Sequence, residues 1–68
     1  MTVEVNGRRV ELAEGAALTD AVAEAGAAAE IRGVAVAVDG EVVPRSSWES
    51  TQLRDGQKVE VVGAIQGG

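Results

Sequence analysis

Thr2-Val-Glu-Val-Asn-Gly-Arg-Arg-Val-Glu-Leu12 is the stretch from which the fold can be read outward. Val3 and Val5 alternate with polar residues before Asn6-Gly7, and Val10 and Leu12 alternate after it, the period of two expected of half-buried strands. Asn-Gly suits a type I′ turn, whose two central residues both need positive φ, so Thr2–Asn6 and Arg8–Leu12 are predicted to form an antiparallel hairpin. Beyond a turn at Glu14-Gly15 the spacing changes. Leu18, Ala21, Val22 and Ala25 recur at i, i+3, i+4 and i+7, which predicts one short amphipathic helix. Asp20 falls in its first turn, where the helix dipole favours negative charge, and Gly26 can adopt the left-handed closing conformation. Ala17 and Thr19 compete for the N-cap.

Ala27 to Gly33 reads as a connector anchored by Ile31, because its alanines follow a helix stop and precede a glycine. Val34 to Val38 is a second β-rich run, Asp39-Gly40 repeats the hairpin signal, and Glu41 to Val43 returns until Pro44 limits further pairing. Ser46 to Ser50 fits a single helical turn around Trp48, the chain's one aromatic residue, read as a plug for a small core rather than a base-stacking platform. Asp55-Gly56 then turns the chain into a last strand, Lys58 to Val62, with Val59 and Val61 on one face. This order, two strands, a helix and then further strands, predicts an α+β domain of the β-grasp type: a mixed sheet of four to five strands packed on one helix. If the last strand runs parallel to the first, its crossover is expected to be right-handed.

At 68 residues the chain is one small domain. A core of this size rarely supplies more than ~3 to 5 kcal/mol, which argues against an interior hollowed by a pocket of ~300 to 1,000 Å³ and so against a self-sufficient enzyme. Six Lys and Arg against eleven Asp and Glu leave a net charge of −5, and only Arg8 and Arg9 are adjacent among the basic residues. That balance repels phosphate backbones and anionic lipid, so no nucleic acid and no membrane partner is expected. Cysteine, histidine, tyrosine and phenylalanine are all missing from the sequence. Thiol and imidazole nucleophiles, disulfides and zinc or iron–sulfur ligation go with them, and no metal site is expected. Glu11 with Glu14, and Asp39 with Glu41, match no metal-loop spacing and read as solvated or turn residues. With no secretory signal and no apolar run near the ~20 residues that span a bilayer, the chain reads as soluble and cytoplasmic.

What remains for chemistry is the end, Ala64-Ile-Gln-Gly-Gly68. Residues 1–63 form the expected domain and residues 64–68 a flexible tail. Five extended residues reach ~16 to 18 Å, enough to carry the terminal carboxylate into another protein's cleft, and glycine lets the backbone pass where a Cβ would clash. A terminal glycine pair is weak by itself in a glycine-rich chain.

The sequence resembles the ThiS family of thiamine-biosynthesis sulfur carriers, which shares the β-grasp fold with ubiquitin and the molybdopterin-synthase small subunit. The resemblance runs nearly full length. It rests on Val5-Asn-Gly7, on Gly33-Val-Ala-Val-Ala-Val-Asp-Gly-Glu-Val-Val-Pro-Arg45 followed by Ser46, Ser47 and Trp48, on Leu53-Arg-Asp-Gly56, on Val59-Glu-Val-Val62 and on Ile65-Gln-Gly-Gly68. Departures lie in the helix, where Ala21 and Ala25 stand in place of larger aliphatics, and in Ala27 to Ala29. The resemblance implies that Gly68 is the covalently modified residue, adenylated and then converted to a thiocarboxylate that donates sulfur for thiazole formation. It implies a ThiF-type, ubiquitin-activating-like adenylyltransferase that uses ATP and magnesium, a persulfide sulfur donor and a ThiG-type thiazole synthase as partners. The chain itself would bind no cofactor and catalyse nothing, while Ile65, Gln66 and Gly67 would dock the tail. The alternatives are the sulfur-carrier subunit of molybdopterin synthase, a ubiquitin-like modifier, a small regulatory subunit, and a β-grasp module that binds partners only through its surface.

Overall fold

In a computed structural model of the chain, residues 1–25 and 33–63 are described. Seven elements follow in order: β1 (Thr2–Val5), β2 (Arg8–Glu11), α1 (Leu18–Glu24), β3 (Val34–Val38), β4 (Glu41–Val42), a 3₁₀ turn (Arg45–Ser47) and β5 (Lys58–Gly63). The strands make one mixed sheet in the order β2-β1-β5-β3-β4. The last strand thus occupies the centre, parallel to β1 through Glu4 opposite Lys58 and Val5 opposite Val59, and antiparallel to β3 from Val34 opposite Gly63 to Val38 opposite Val59. This is the β-grasp arrangement, with five strands.

Both hairpins form at the predicted dipeptides. Asn6 and Gly7 have φ of 50° and 83°, and Asp39 and Gly40 have 50° and 84°, the paired positive values of a type I′ turn. In the first hairpin Thr2 faces Glu11 and Val5 faces Arg8, and reciprocal 2.8 Å bonds between the Met1 ammonium and the Leu12 carbonyl, and between the Leu12 amide and the Met1 carbonyl, carry the pairing one step further. The second return strand is shorter than expected. β4 ends at Val42, yet the Val43 amide still donates to the Val36 carbonyl at 2.9 Å before Pro44 stops the ladder.

α1 has only seven residues, too few to persist alone in water. Burial holds it: Leu18, Ala21 and Val22 are fully enclosed against the sheet, and burying a Val or Leu side chain contributes about 1.5–3 kcal/mol. Ala17 takes the N-cap position and has no side-chain acceptor to offer. The Asp20 carboxylate compensates by accepting from the Ala17 amide at 3.0 Å, while the Asp20 amide donates to the Ala17 carbonyl at 2.9 Å. The helix start is also stitched to the segment before β5, with Leu18 N–H donating to Thr51 O at 2.8 Å and Leu53 N–H to Ala16 O at 2.9 Å. Ala25 ends the helix in αR geometry, its amide shared between the Ala21 and Val22 carbonyls at 3.1 Å. The expected stop at Gly26 and the connector anchored by Ile31 lie outside the described residues.

The core joins Val3, Val5 and Val10 of the first hairpin to Val36, Val38 and Val59, with α1, Leu53 and Trp48 closing it. Trp48 is 2% exposed and donates its indole N–H to the Val43 carbonyl at 2.9 Å, so the plug expected from the sequence is present with its polar atom paired. The helical turn begins one residue before the predicted Ser46, at Arg45, whose guanidinium lies 5.8 Å from the centre of the Trp48 ring.

Candidate functional site

Gly68, Gly67, Gln66 and Ile65, the residues singled out for function, lie outside the described residues, as does Ala64. What the structure places is the point from which they depart. That point is Gly63, the end of the central strand β5. A central strand is held by backbone bonds on both edges, which makes it the firmest base the sheet offers.

The two edges of β5 are not held in the same way. Along the β3 edge the pairing runs to Gly63. Along the β1 edge the regular ladder stops early, because β1 turns away at Asn6-Gly7; its last steps are Glu4 N–H to Gln57 O and Asn6 N–H to Val59 O, each 2.9 Å. The next step is made by a side chain. Asn6 Oδ1 accepts from the Val61 amide at 2.8 Å, and Asn6 Nδ2 donates to the Val61 carbonyl at 3.1 Å. The primary amide carries one acceptor and a donor group, so it stands in for the next peptide of β1.

Asp39 does related work at the other end of β5. Its amide donates to the Lys58 carbonyl at 2.8 Å, and its carboxylate accepts from the Lys58 amide at 3.0 Å and from Gln57 Nε2 at 3.3 Å. Between the two hairpin turns and β5 lies a surface groove of about 510 Å³, lined by Glu4, Asn6, Gly7, Asp39, Gly40, Lys58, Val59, Glu60 and Val62. Side chains alternate along the strand: Val59 is buried and Val61 half-buried on one face, while Lys58, Glu60 and Val62 are exposed on the other, Val62 60% exposed opposite Ala35.

The acidic pairs considered from the sequence hold no metal cluster among the described residues. Glu11 and Glu14 instead lie 3.4 and 3.6 Å from the Met1 ammonium, and Asp39 is engaged by β5 as described. Among the described residues no helix is long and apolar enough to cross a membrane. Sequence reasoning read Asn6 and Asp39 as turn formers and missed their side-chain bonds to β5. The available signal was their type, since both carry polar groups able to bond a neighbouring backbone.

The five-stranded mixed sheet, with its last strand between β1 and β3 and one helix packed on it, defines a ubiquitin-like β-grasp protein. The chain matches the ThiS family over residues 3–68, the terminal glycines included, and it belongs to that family. A crystal structure of the thiamine biosynthesis protein ThiS from Geobacter metallireducens is similar over 100% of both chains, at 30% identity and a TM-score of 0.77. A solution structure of a thiamine biosynthesis protein from the same organism matches at 34% identity and the same TM-score, 0.77, covering 100% of this chain and 88% of the other. No curated protein matches the chain.

Proposed function

We propose that this protein is a sulfur carrier of thiamine biosynthesis and that Gly68 carries the sulfur. Membership of the ThiS family through the last residue is the observation that supports the reading. A carboxylate is a poor electrophile, so the chemistry must first supply a leaving group. A carboxylate oxygen of Gly68 attacks the α-phosphorus of ATP, and pyrophosphate departs with magnesium balancing its charge. A persulfide sulfur then attacks the acyl carbon and displaces AMP. Cleavage of the resulting sulfur–sulfur bond by a thiol leaves a thiocarboxylate on Gly68 and a disulfide on the donor. That terminal sulfur is the nucleophile delivered to thiazole formation.

None of these steps asks for a side chain of this protein, consistent with a sequence that has no cysteine and no histidine. The activating enzyme of the ThiF type contributes the nucleotide site, and a synthase of the ThiG type receives the sulfur. Residues 64–68 form a tail beyond the domain of residues 1–63, in which Gly67 admits the backbone to a narrow cleft while Ile65 and Gln66 dock. Ile65→Ala is expected to weaken partner binding without changing the melt. The deciding experiment records intact mass before and after incubation with ATP, magnesium, a cognate activating enzyme and a persulfide source. One oxygen-to-sulfur exchange mapped to Gly68 is expected, and none in a chain lacking Gly68. No exchange with a partner shown to be active on its own carrier would move the assignment to a β-grasp binding module.

A further inference from the structure

We infer that Asn6 is a positioning residue for the tail: its side-chain amide clamps Val61 and thereby sets where the chain leaves the domain towards Gly68. The role rests on the carrier reading. Three observations lead to it. β1 ends at Val5, so the peptide that would bond Val61 in a longer parallel ladder is missing. Asn6 fills that place with both a donor and an acceptor, at 3.1 and 2.8 Å, across 55 residues of sequence. Beyond Val61 the β1 edge offers no further rung, and the hold on β5 comes from its pairing with β3 through Gly63.

The turn and the clamp depend on each other. Asn6 has φ of 50°, and asparagine is among the few residues that enter this region readily while carrying an amide. Glycine would serve the turn equally well and leave Val61 unclamped. Losing the clamp leaves the β1 edge of β5 unpaired at Val61, so residues 61–63 are held by the β3 edge alone. Whenever that one remaining edge also opens, three residues join the five of the proposed tail, and its reach grows from ~16–18 Å to ~26–29 Å. Effective concentration falls with about the −3/2 power of tether length, which amounts to a loss of up to about two-fold before any change in the tail's direction of departure. Both effects act on delivery of the carboxylate and not on the chemistry at the acyl carbon, so they raise KM for the activating enzyme and leave kcat in place.

The test compares three full-length variants by amide hydrogen exchange in the free protein and by the steady-state kinetics of adenylation. Asn6→Gly keeps the turn and removes the clamp. Its Val61 amide is expected to lose protection by about ten-fold or more relative to the Val36 amide in the core, with KM raised about two-fold and kcat unchanged. Asn6→Asp keeps an acceptor for the Val61 amide but sets a carboxylate against the Val61 carbonyl, and should fall between Asn6→Gly and the parent chain. It also serves as the folded variant if Asn6→Gly melts too low to assay. Asp39→Gly perturbs the start of β5 and should lower the melt while sparing Val61 protection and KM. Retained protection at Val61 in Asn6→Gly overturns the clamp. Lost protection with unchanged KM, or an equal KM rise in Asp39→Gly, overturns the positioning role. If the parent chain is never adenylated by a demonstrably active partner, the carrier reading and the delivery role fail together, while the exchange data still decide whether Asn6 holds β5.

Discussion

Replacing Trp48 by alanine tests the account of the core most directly. The side chain is 2% exposed, reaches the 11-residue buried cluster from the loop before β5, and spends its indole N–H on Val43 O at 2.9 Å. Tryptophan buries roughly 150–250 Å² in such a site. At about 25 cal/mol per Å² this corresponds to about 4–6 kcal/mol of transfer free energy, and measured Trp→Ala losses in cores run to about 3–5 kcal/mol. The domain has little reserve against that loss, since stability of about 0.05–0.15 kcal/mol per residue gives this length about 3–10 kcal/mol, with small domains towards the lower end. Trp48→Ala is therefore expected to be largely unfolded at 25 °C, or to unfold in urea at a far lower midpoint. Trp48→Phe keeps most of the ring and loses the hydrogen bond, and should lie between the two at about 1–3 kcal/mol below the parent chain. Far-UV circular dichroism is the assay of choice because the substitution removes the only fluorophore of its kind. A Trp48→Ala chain that melts with the parent would refute the plug, and with it the view that one aromatic closes this core.

Gly40→Ala should cost about 1–2 kcal/mol through backbone conformation alone, because φ is +84° and an added Cβ meets nothing within 4 Å; a melt lowered by about 4–16 °C is expected. Asp20→Ala removes the acceptor for the Ala17 amide and should lower stability by about 0.5–2 kcal/mol in the same melt, an unchanged midpoint ruling out its capping role. Asp39→Gly preserves the turn but loses the bonds to Lys58 and Gln57, for about 1–2 kcal/mol by urea titration. Deleting Gly68 should leave urea and thermal midpoints unaltered while abolishing the oxygen-to-sulfur exchange in intact mass.

Local elements were legible in the residues because their causes are local. Period-two valines on either side of Asn6-Gly7 and Asp39-Gly40 specify strands and turns through neighbouring φ and ψ, and both hairpins stand where the sequence puts them. The helix was legible as an apolar stripe, but its N-cap was not: Ala17 has nothing to cap with, and the position is settled by Asp20 and by backbone bonds to Thr51 and Leu53 more than thirty residues away. Strand ends shifted by a residue for the same reason, since a ladder stops where its partner stops.

The sequence alone determined two hairpins, one amphipathic helix, an acidic chain without thiol or imidazole chemistry, and a Gly-Gly terminus. Tertiary structure decided that the last strand enters the middle of the sheet, parallel to the first, and that Asn6 grips it at Val61. Alternation and turn chemistry act between neighbours and leave their mark in short windows. A bond between positions 6 and 61 depends on where β1 happens to end against β5, a register that emerges only once the two strands lie side by side.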